Sequence, residues 1–226
     1  MNPPLHWIDM GTIPYGRCIR IQDELAGRRS ELDSDYLLLA QHPPTYSFSP
    51  RLKESPACWS AEYCRRHGIE PVLTSRGGDP WYHSPGQISG YAVFDITRQN
   101  LSPRAFVALM QRALMLVLKD AGVAVFTRPA AAGLWVDGRQ IAGTGVHLSR
   151  GVSRHGFFLN VAPDLSPVEF ATADAVPGPA APVTSLEKLG VTMMAEAIIP
   201  KIAAAFGVVF HQQVRRADNL PPGLTP

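Results

Sequence analysis

The sequence predicts an α+β domain, a mixed β-sheet with helices packed on one side. Three observations lead there. Short apolar runs bounded by proline and glycine read as buried strands, Tyr36 to Ala40 being the plainest. Asp137-Gly138, set between two such runs, is a hairpin turn signal. Two long segments with helical spacing, Ser102 to Gly122 and Val191 to Phe206, are too apolar to lie free on a surface.

Taken in order, Ile19, Gln22 and Leu25 alternate with charges between Tyr15 and Arg29, which makes an amphipathic helix. Tyr36 to Ala40 follows as a strand, and His42-Pro43-Pro44 ends it because proline has no N–H to give a ladder. Ser49 to Cys58 reads as a loop. Ile69 to Leu73 and Tyr91 to Ile96 read as strands flanking a glycine-rich segment. Ser102 supplies a capping hydroxyl and Pro103 a ring preset to helical φ, so a helix starts there and stops at Gly122. Its apolar residues cover most of its circumference, which predicts burial all round. Gly133 to Val136 and Ile141 to Leu148 form the hairpin, Phe157 to Val161 a further strand, and the last helix is expected to break or bend at Pro200.

With 226 residues and 46% hydrophobic content the chain can bury a full core. A single domain over residues 1–226 is the economical reading, the last few residues being expected to be disordered. A formal net charge of +2, with basic residues scattered, gives no electrostatic footprint for nucleic acid. Met1 to Met10 lacks a cationic lead into an apolar run, and no apolar stretch is long enough for a bilayer. A cytoplasmic protein with no membrane partner is expected. Three cysteines, Cys18, Cys58 and Cys64, form no disulfide framework and suit a reducing compartment. Cys58, Cys64 and His67 lack a fourth ligand at zinc-like spacing, so no metal is expected.

Chemistry concentrates in two places. Ser75 to Ile96 reads S-R-G-G-D-P-W-Y-H-S-P-G-Q-I-S-G-Y-A-V-F-D-I. Gly77 and Gly78 let backbone N–H groups come close to a ligand, with Arg76, Trp81, Tyr82 and His83 around them. Gly133 to Val161 carries Gly143-Thr144-Gly145, a costly pair of glycines for a strand, and then His155-Gly156-Phe157-Phe158. A tight turn and a β-bulge would account for the same residues without a ligand.

Together these segments resemble the octanoyltransferase (lipoyl/octanoyl transferase, LipB) family of the biotin/lipoate ligase superfamily. The resemblance implies a biotin/lipoate protein ligase-like fold and an acyl-thioester pocket lined by both segments, with no cofactor. It further implies a carrier partner, an acyl carrier protein or other carrier domain. Enzymes of that family use a cysteine nucleophile and an activating lysine to move an octanoyl group from acyl carrier protein to a lipoyl-domain lysine.

Both of those groups are replaced here. Gln140 stands at the lysine position. Counting forward from Asp164-Leu165-Ser166-Pro167 puts the cysteine position at Asp174, whereas counting back from Val183-Thr184-Ser185-Leu186 puts it at Val176 or Pro177. No count reaches a cysteine. Gln140 has no charge with which to lower a thiol pKa. Asp174, with His83 or His155, is then the candidate general base.

Two functions compete. One is an enzyme acting on a carrier- or coenzyme A-bound acyl thioester without an acyl-cysteine intermediate. The other is a non-catalytic pseudoenzyme that binds octanoyl or lipoyl groups or their carrier domain. An adenylate-forming ligase is the weaker third reading, because Gln140 again replaces a lysine.

Overall fold

The computed structural model describes residues 2–49, 59–128, 131–173 and 182–224. The first half contains strand β1 (Leu5–Thr12), helix α1 (Tyr15–Gly27), β2 (Asp35–Gln41), β3 (Thr45–Phe48), α2 (Ala61–Arg66), β4 (Glu70–Leu73), β5 (Trp81–His83) and β6 (Gln87–Val93). The second half contains α3 (Pro103–Asp120), β7 (Phe126–Arg128), β8 (Ala131–Val136), β9 (Arg139–Ser149), β10 (Val152–Asn160), α4 (Ser166–Ala173), α5 (Ala195–Phe210) and β11 (Val214–Arg216).

Eight strands form one mixed sheet in the order β11-β1-β2-β6-β10-β9-β8-β7, and β4-β3-β5 form a smaller one. β1 lies parallel to β2 and β11, while β2 to β6, β6 to β10 and β10 to β9 run antiparallel.

Helices cover both faces of the large sheet, which corrects the expectation of one covered side. Side chains alternate along a strand, so the wholly apolar Tyr36 to Ala40 run is stable only when both faces are dry. Tyr36, Leu38 and Ala40 pack with Cys18, Ile21 and Leu25 of α1. Leu37 and Leu39 face the other way, into the core made with Phe106, Met110 and Leu114 of α3 and Ile198, Ile202 and Phe206 of α5.

Helix α3 is capped as its sequence requires, with Ser102 Oγ accepting from Ala105 N at 3.2 Å. It is buried along one stripe only. Leu116 is 39% exposed, because the helix closes one outer layer and no second layer packs on that side among the described residues. The Asp137-Gly138 turn has φ of 45° and 81°, both positive as a type I′ hairpin demands. Helix α5 begins at Ala195 and runs through Pro200 to Phe210, so of the expected break or bend the break does not occur. One interior proline costs about 3 kcal/mol. Burial of Ile198, Ile199, Ile202 and Phe206 offsets that at roughly 2 kcal/mol each.

At the start of β2, Asp35 is fully buried and accepts from Asp95 N at 3.0 Å and from the amides of Gln99 and Gln212, each at 2.6 Å. Burial dominates over these bonds and over Arg29, and pushes the carboxyl from the ordinary 3.8 to about 6. The folded chain therefore keeps this proton at a pH where the unfolded chain has lost it. Stability from this group grows as pH falls from 7 towards 4, by about 3 kcal/mol in full. Denaturant titrations at pH 7 and pH 5 should show roughly 1 kcal/mol of this gain in the native chain and not in Asp35→Asn. Equal gains in both would refute it.

Candidate functional site

Arg76 is the largest fully buried side chain, with 1% of its surface exposed. Its Nη1 donates to the carbonyls of Asp79 (2.6 Å) and Gly77 (3.2 Å), and its Nη2 to Ser47 O (2.8 Å) and Ser47 Oγ (2.9 Å). The guanidinium stacks on Trp81 at 3.9 Å. Among the described residues no carboxylate pairs with it. Its charge is held by carbonyl dipoles, and burial lowers its pKa.

His83, brought in by β5, is also buried, and both its ring nitrogens are engaged. Gln87 Nε2 donates to Tyr82 O (3.0 Å) and Asn160 Oδ1 (2.9 Å), which leaves Gln87 Oε1 to accept from His83 Nδ1–H at 2.6 Å. Nε2 then accepts from the Ser47 hydroxyl at 3.0 Å. Desolvation, with His42 and Arg76 nearby, holds the imidazole well below its ordinary 6.5. The ring is a neutral, fixed element with no free nitrogen for proton abstraction.

His155 differs. Its φ is 60°, a left-handed conformation inside β10, and its N–H leaves the ladder to donate to Gln22 Oε1 of α1 at 2.6 Å. Its register with β9 is unbroken, its Nε2 meets Ser75 Oγ at 3.1 Å, and the buried Nδ1 has no partner among the described residues. Burial, then Arg76, bring its pKa to about 3.

The period of the strands divides the other expected wall residues. Gly143 and Gly145 are on the face towards β5, and the missing side chains are replaced by rings. A Cβ on Gly143 would lie 2.3 Å from Phe158, and one on Gly145 would lie 2.8 Å from Gly77 O and 3.0 Å from Trp81. Trp81 meets Phe158 edge-on at 4.9 Å. Thr144 and Phe157 point to the opposite face. Thr144 accepts from Gln111 of α3 at 3.3 Å, and Phe157 packs on Phe206 at 5.5 Å. Tyr82 joins a separate cluster with Tyr46, Leu165 and Val183. Gly156 faces the Gly90 carbonyl of β6, and Gly78 has open space beside it. Arg76, Gly77, Trp81, His83, Gly143, Gly145 and Phe158 are thus brought together, and Thr144, Phe157, Tyr82 and Gly156 are not.

Gln140 opens β9 next to the segment after residue 181. Its N–H donates to Pro182 O at 2.8 Å, and its carbonyl accepts from Thr184 N at 2.9 Å. Asp174, Val176 and Pro177, with Cys58, lie outside the described residues. Cys18 is fully buried with its thiol pushed far up by desolvation, and Cys64 is buried too. Among the described residues no group of three His, Cys, Asp or Glu is placed to hold a metal ion.

Sequence reasoning missed Tyr15, His42, Ser47, Tyr91 and Asn160. Tyr15 lies against His42 and His83 at 4.9 and 4.8 Å, and its hydroxyl bonds Arg76 and Ser47. His42 Nδ1 donates to Ile13 O at 2.7 Å, so its Nε2 accepts from Tyr91 at 2.5 Å. The His42-Pro43-Pro44 run was the available signal, and it reads equally as a strand end.

A large mixed sheet with helices on both faces and a smaller sheet beside it is a fold similar to that of solved lipoate and biotin protein ligases. The fold is similar to a bipartite lipoate protein ligase from Thermoplasma acidophilum, solved with its E2 lipoyl domain (TM-score 0.73, 16% identity, 96% of this chain and 88% of that one). It is also similar to the biotin protein ligase of Aquifex aeolicus (TM-score 0.57, 11% identity, 92% and 70%). Residues 14–207 match the lipoyl protein ligase A/B catalytic domain, and the chain belongs to that family. Relatives named octanoyltransferase include those of Solibacter usitatus, 35% identical over 93% of this chain and 95% of its own, and Gloeobacter violaceus, 36% identical over 91% and 90%.

Proposed function

We propose that this chain acts on an octanoyl-type acyl thioester, bound to a carrier protein or to coenzyme A, without an acyl-cysteine intermediate. The observation that carries the proposal is the strap joining Gln140 to residues 182–184. It ties the lysine position to the residues that follow the cysteine-position segment in sequence, as a site built from both replaced positions would require. The incoming nucleophile, an amine or water, would attack the thioester carbon directly. The new C–N or C–O bond forms, the C–S bond breaks, and Asp174 takes the nucleophile's proton and returns it to the leaving thiolate. His155 is the imidazole proposed to assist, and His83 positions the pocket. Direct attack forgoes the covalent route, so orientation and stabilisation of the carbonyl oxygen must carry the rate. The partner in this proposal is an acyl carrier protein or other carrier domain, met in the cytoplasm. No helix among the described residues is long and apolar enough to cross a membrane.

One observation favours a second reading, a non-catalytic binder. Both ring nitrogens of His83 are used within the core, so its retention is explained by packing alone.

Intact-protein mass spectrometry after incubation with octanoyl-acyl carrier protein and a lipoyl-domain acceptor separates these. Loss of thioester with no adduct on this chain is expected. An adduct would overturn the absence of a covalent intermediate, and an unconsumed thioester would favour the binder. The rate should show no imidazole inflection between about pH 5 and 8, because burial holds His42 near 4 and His155 near 3. An inflection near 6.5 would contradict that.

A further inference from the structure

A single row of hydrogen bonds crosses the core from the pocket to the Gln140 strap. Arg76 Nη2 donates to Ser47 Oγ (2.9 Å), Ser47 to His83 Nε2 (3.0 Å), and His83 Nδ1 to Gln87 Oε1 (2.6 Å). Gln87 Nε2 donates to Asn160 Oδ1 (2.9 Å), and Asn160 Nδ2 to Thr184 O (2.9 Å). A guanidinium that only donates begins the row and a carbonyl that only accepts ends it. The polarity of every link between them is thereby fixed. Arg76, Ser47, His83, Gln87, Asn160 and Thr184 are all buried, none more than 3% exposed. In such surroundings aligned hydrogen bonds reinforce one another, and a broken link leaves an unpaired group out of reach of water.

Asn160 is the junction. Its side chain holds Thr184 O, its own carbonyl accepts from Leu186 N at 3.1 Å, and Thr184 N is bonded in turn to Gln140 O. The row joins β3, β5, β6 and β10 to the segment after α4. A buried amide needing only local satisfaction would not have to link the pocket cation to the strap.

We infer that Asn160 is a positioning residue, which sets Gln140 and residues 182–184 relative to the Arg76, Trp81 and His83 cluster. This rests on the proposed function, with its site between those two parts. Acting through backbone placement, Asn160 affects the chemical step more than the capture of thioester.

The test is Asn160→Asp. The substitution keeps shape and the acceptor for Gln87, and replaces the donor to Thr184 by an ionisable oxygen. When protonated, the carboxyl donates to Thr184 O as the amide does. When ionised, it repels that carbonyl. Burial raises such a carboxyl into the working range. The variant's kcat for thioester consumption should match the native chain at pH 5 and fall about tenfold by pH 8, the scale of one buried hydrogen bond, with KM within about twofold. The native chain should not follow this profile. A kcat unaffected by pH in the variant, or a loss carried by KM, overturns the inference. Hydrogen exchange at pH 8 supplies a readout independent of turnover. The Gln140 and Thr184 amides should exchange about tenfold faster in the variant, and in Asn160→Ser, while α3 amides stay unchanged. Consumption absent from the native chain with faster exchange in the variants would sink the proposed function and leave the positioning intact. Unchanged exchange in folded variants would sink the positioning.

Discussion

Replacing Gln140 by lysine together with Asp174 by cysteine is expected to give the chain an octanoyl adduct of its own, one acyl group per protein, when it meets octanoyl-acyl carrier protein. A thiol at its ordinary pKa of about 8.5 is mostly protonated at pH 7. An ammonium about 4 Å away, at the effective dielectric of a partly exposed site, contributes roughly 4 kcal/mol of attraction to the thiolate, enough to make it the main species. Gln140 is half-buried, and its Nε2 lies over Gly133, 2.6 Å from where a Cβ there would sit. A lysine aliphatic chain can take the same path and carry its ammonium to the edge of that cover. Each single substitution should give little adduct, because an uncharged neighbour leaves the thiol protonated and a lone ammonium has nothing to activate. The same Gln140→Lys change combined with Val176→Cys, or with Pro177→Cys, decides the alignment, since only the correctly placed thiol should acylate. Intact mass reads all three. Three folded double variants with no adduct would overturn both the alignment and the pocket reading.

The parts of the fold that were legible are those written locally. Ser102-Pro103 and Asp137-Gly138 each carry their own stereochemical instruction, and each does what it says. The burial of Tyr36 to Ala40 was readable too, but its cause was not. Whether an apolar strand is dry on both faces depends on α1, α3 and α5 arriving from elsewhere in the chain. The same limit applies to the site. Arg76 and His83 were found in one motif, yet the groups that fix them are Ser47 on β3, Tyr15 on α1 and Asn160 on β10. No spacing in the sequence announces such partners. Motif proximity also overstated the wall. Thr144 lies between Gly143 and Gly145 in sequence, and the two-residue period of β9 sends it to the far face. His155 shows the reverse case, where a left-handed backbone conformation that no pattern marks accompanies a side chain bonded to Ser75.

The glycines of the first motif invite a ligand explanation, and a pair of substitutions separates ligand from packing. Gly86→Ala is expected to destabilise the chain by about 4 kcal/mol, against about 1 kcal/mol for Gly78→Ala. Both residues have positive φ, 89° and 88°, so both variants carry the same left-handed strain of about 1 kcal/mol. Their surroundings differ. A Cβ on Gly78 meets nothing within 4 Å, whereas one on Gly86 would lie 2.3 Å from Ala162 O and 2.5 Å from Ala162 C. That backbone cannot yield alone, because the Gly86 carbonyl accepts from both Val161 N and Ala162 N, and Glu187 N bonds Val161 O. Relieving the overlap must push the end of β10 away from the β5–β6 turn, at a cost of about 3 kcal/mol or more for such overpacking. In a chain of this size 1 kcal/mol moves Tm by roughly 2–4 °C, so Gly86→Ala should melt roughly 8–16 °C lower and Gly78→Ala only a few degrees lower. Equal shifts would mean that backbone strain alone explains both glycines. The expected inequality makes Gly86 a packing requirement of the β5–β6 junction. Gly78, beside open space and two residues from the buried Arg76, is then, under the proposed function, the glycine left for close approach of an acyl thioester.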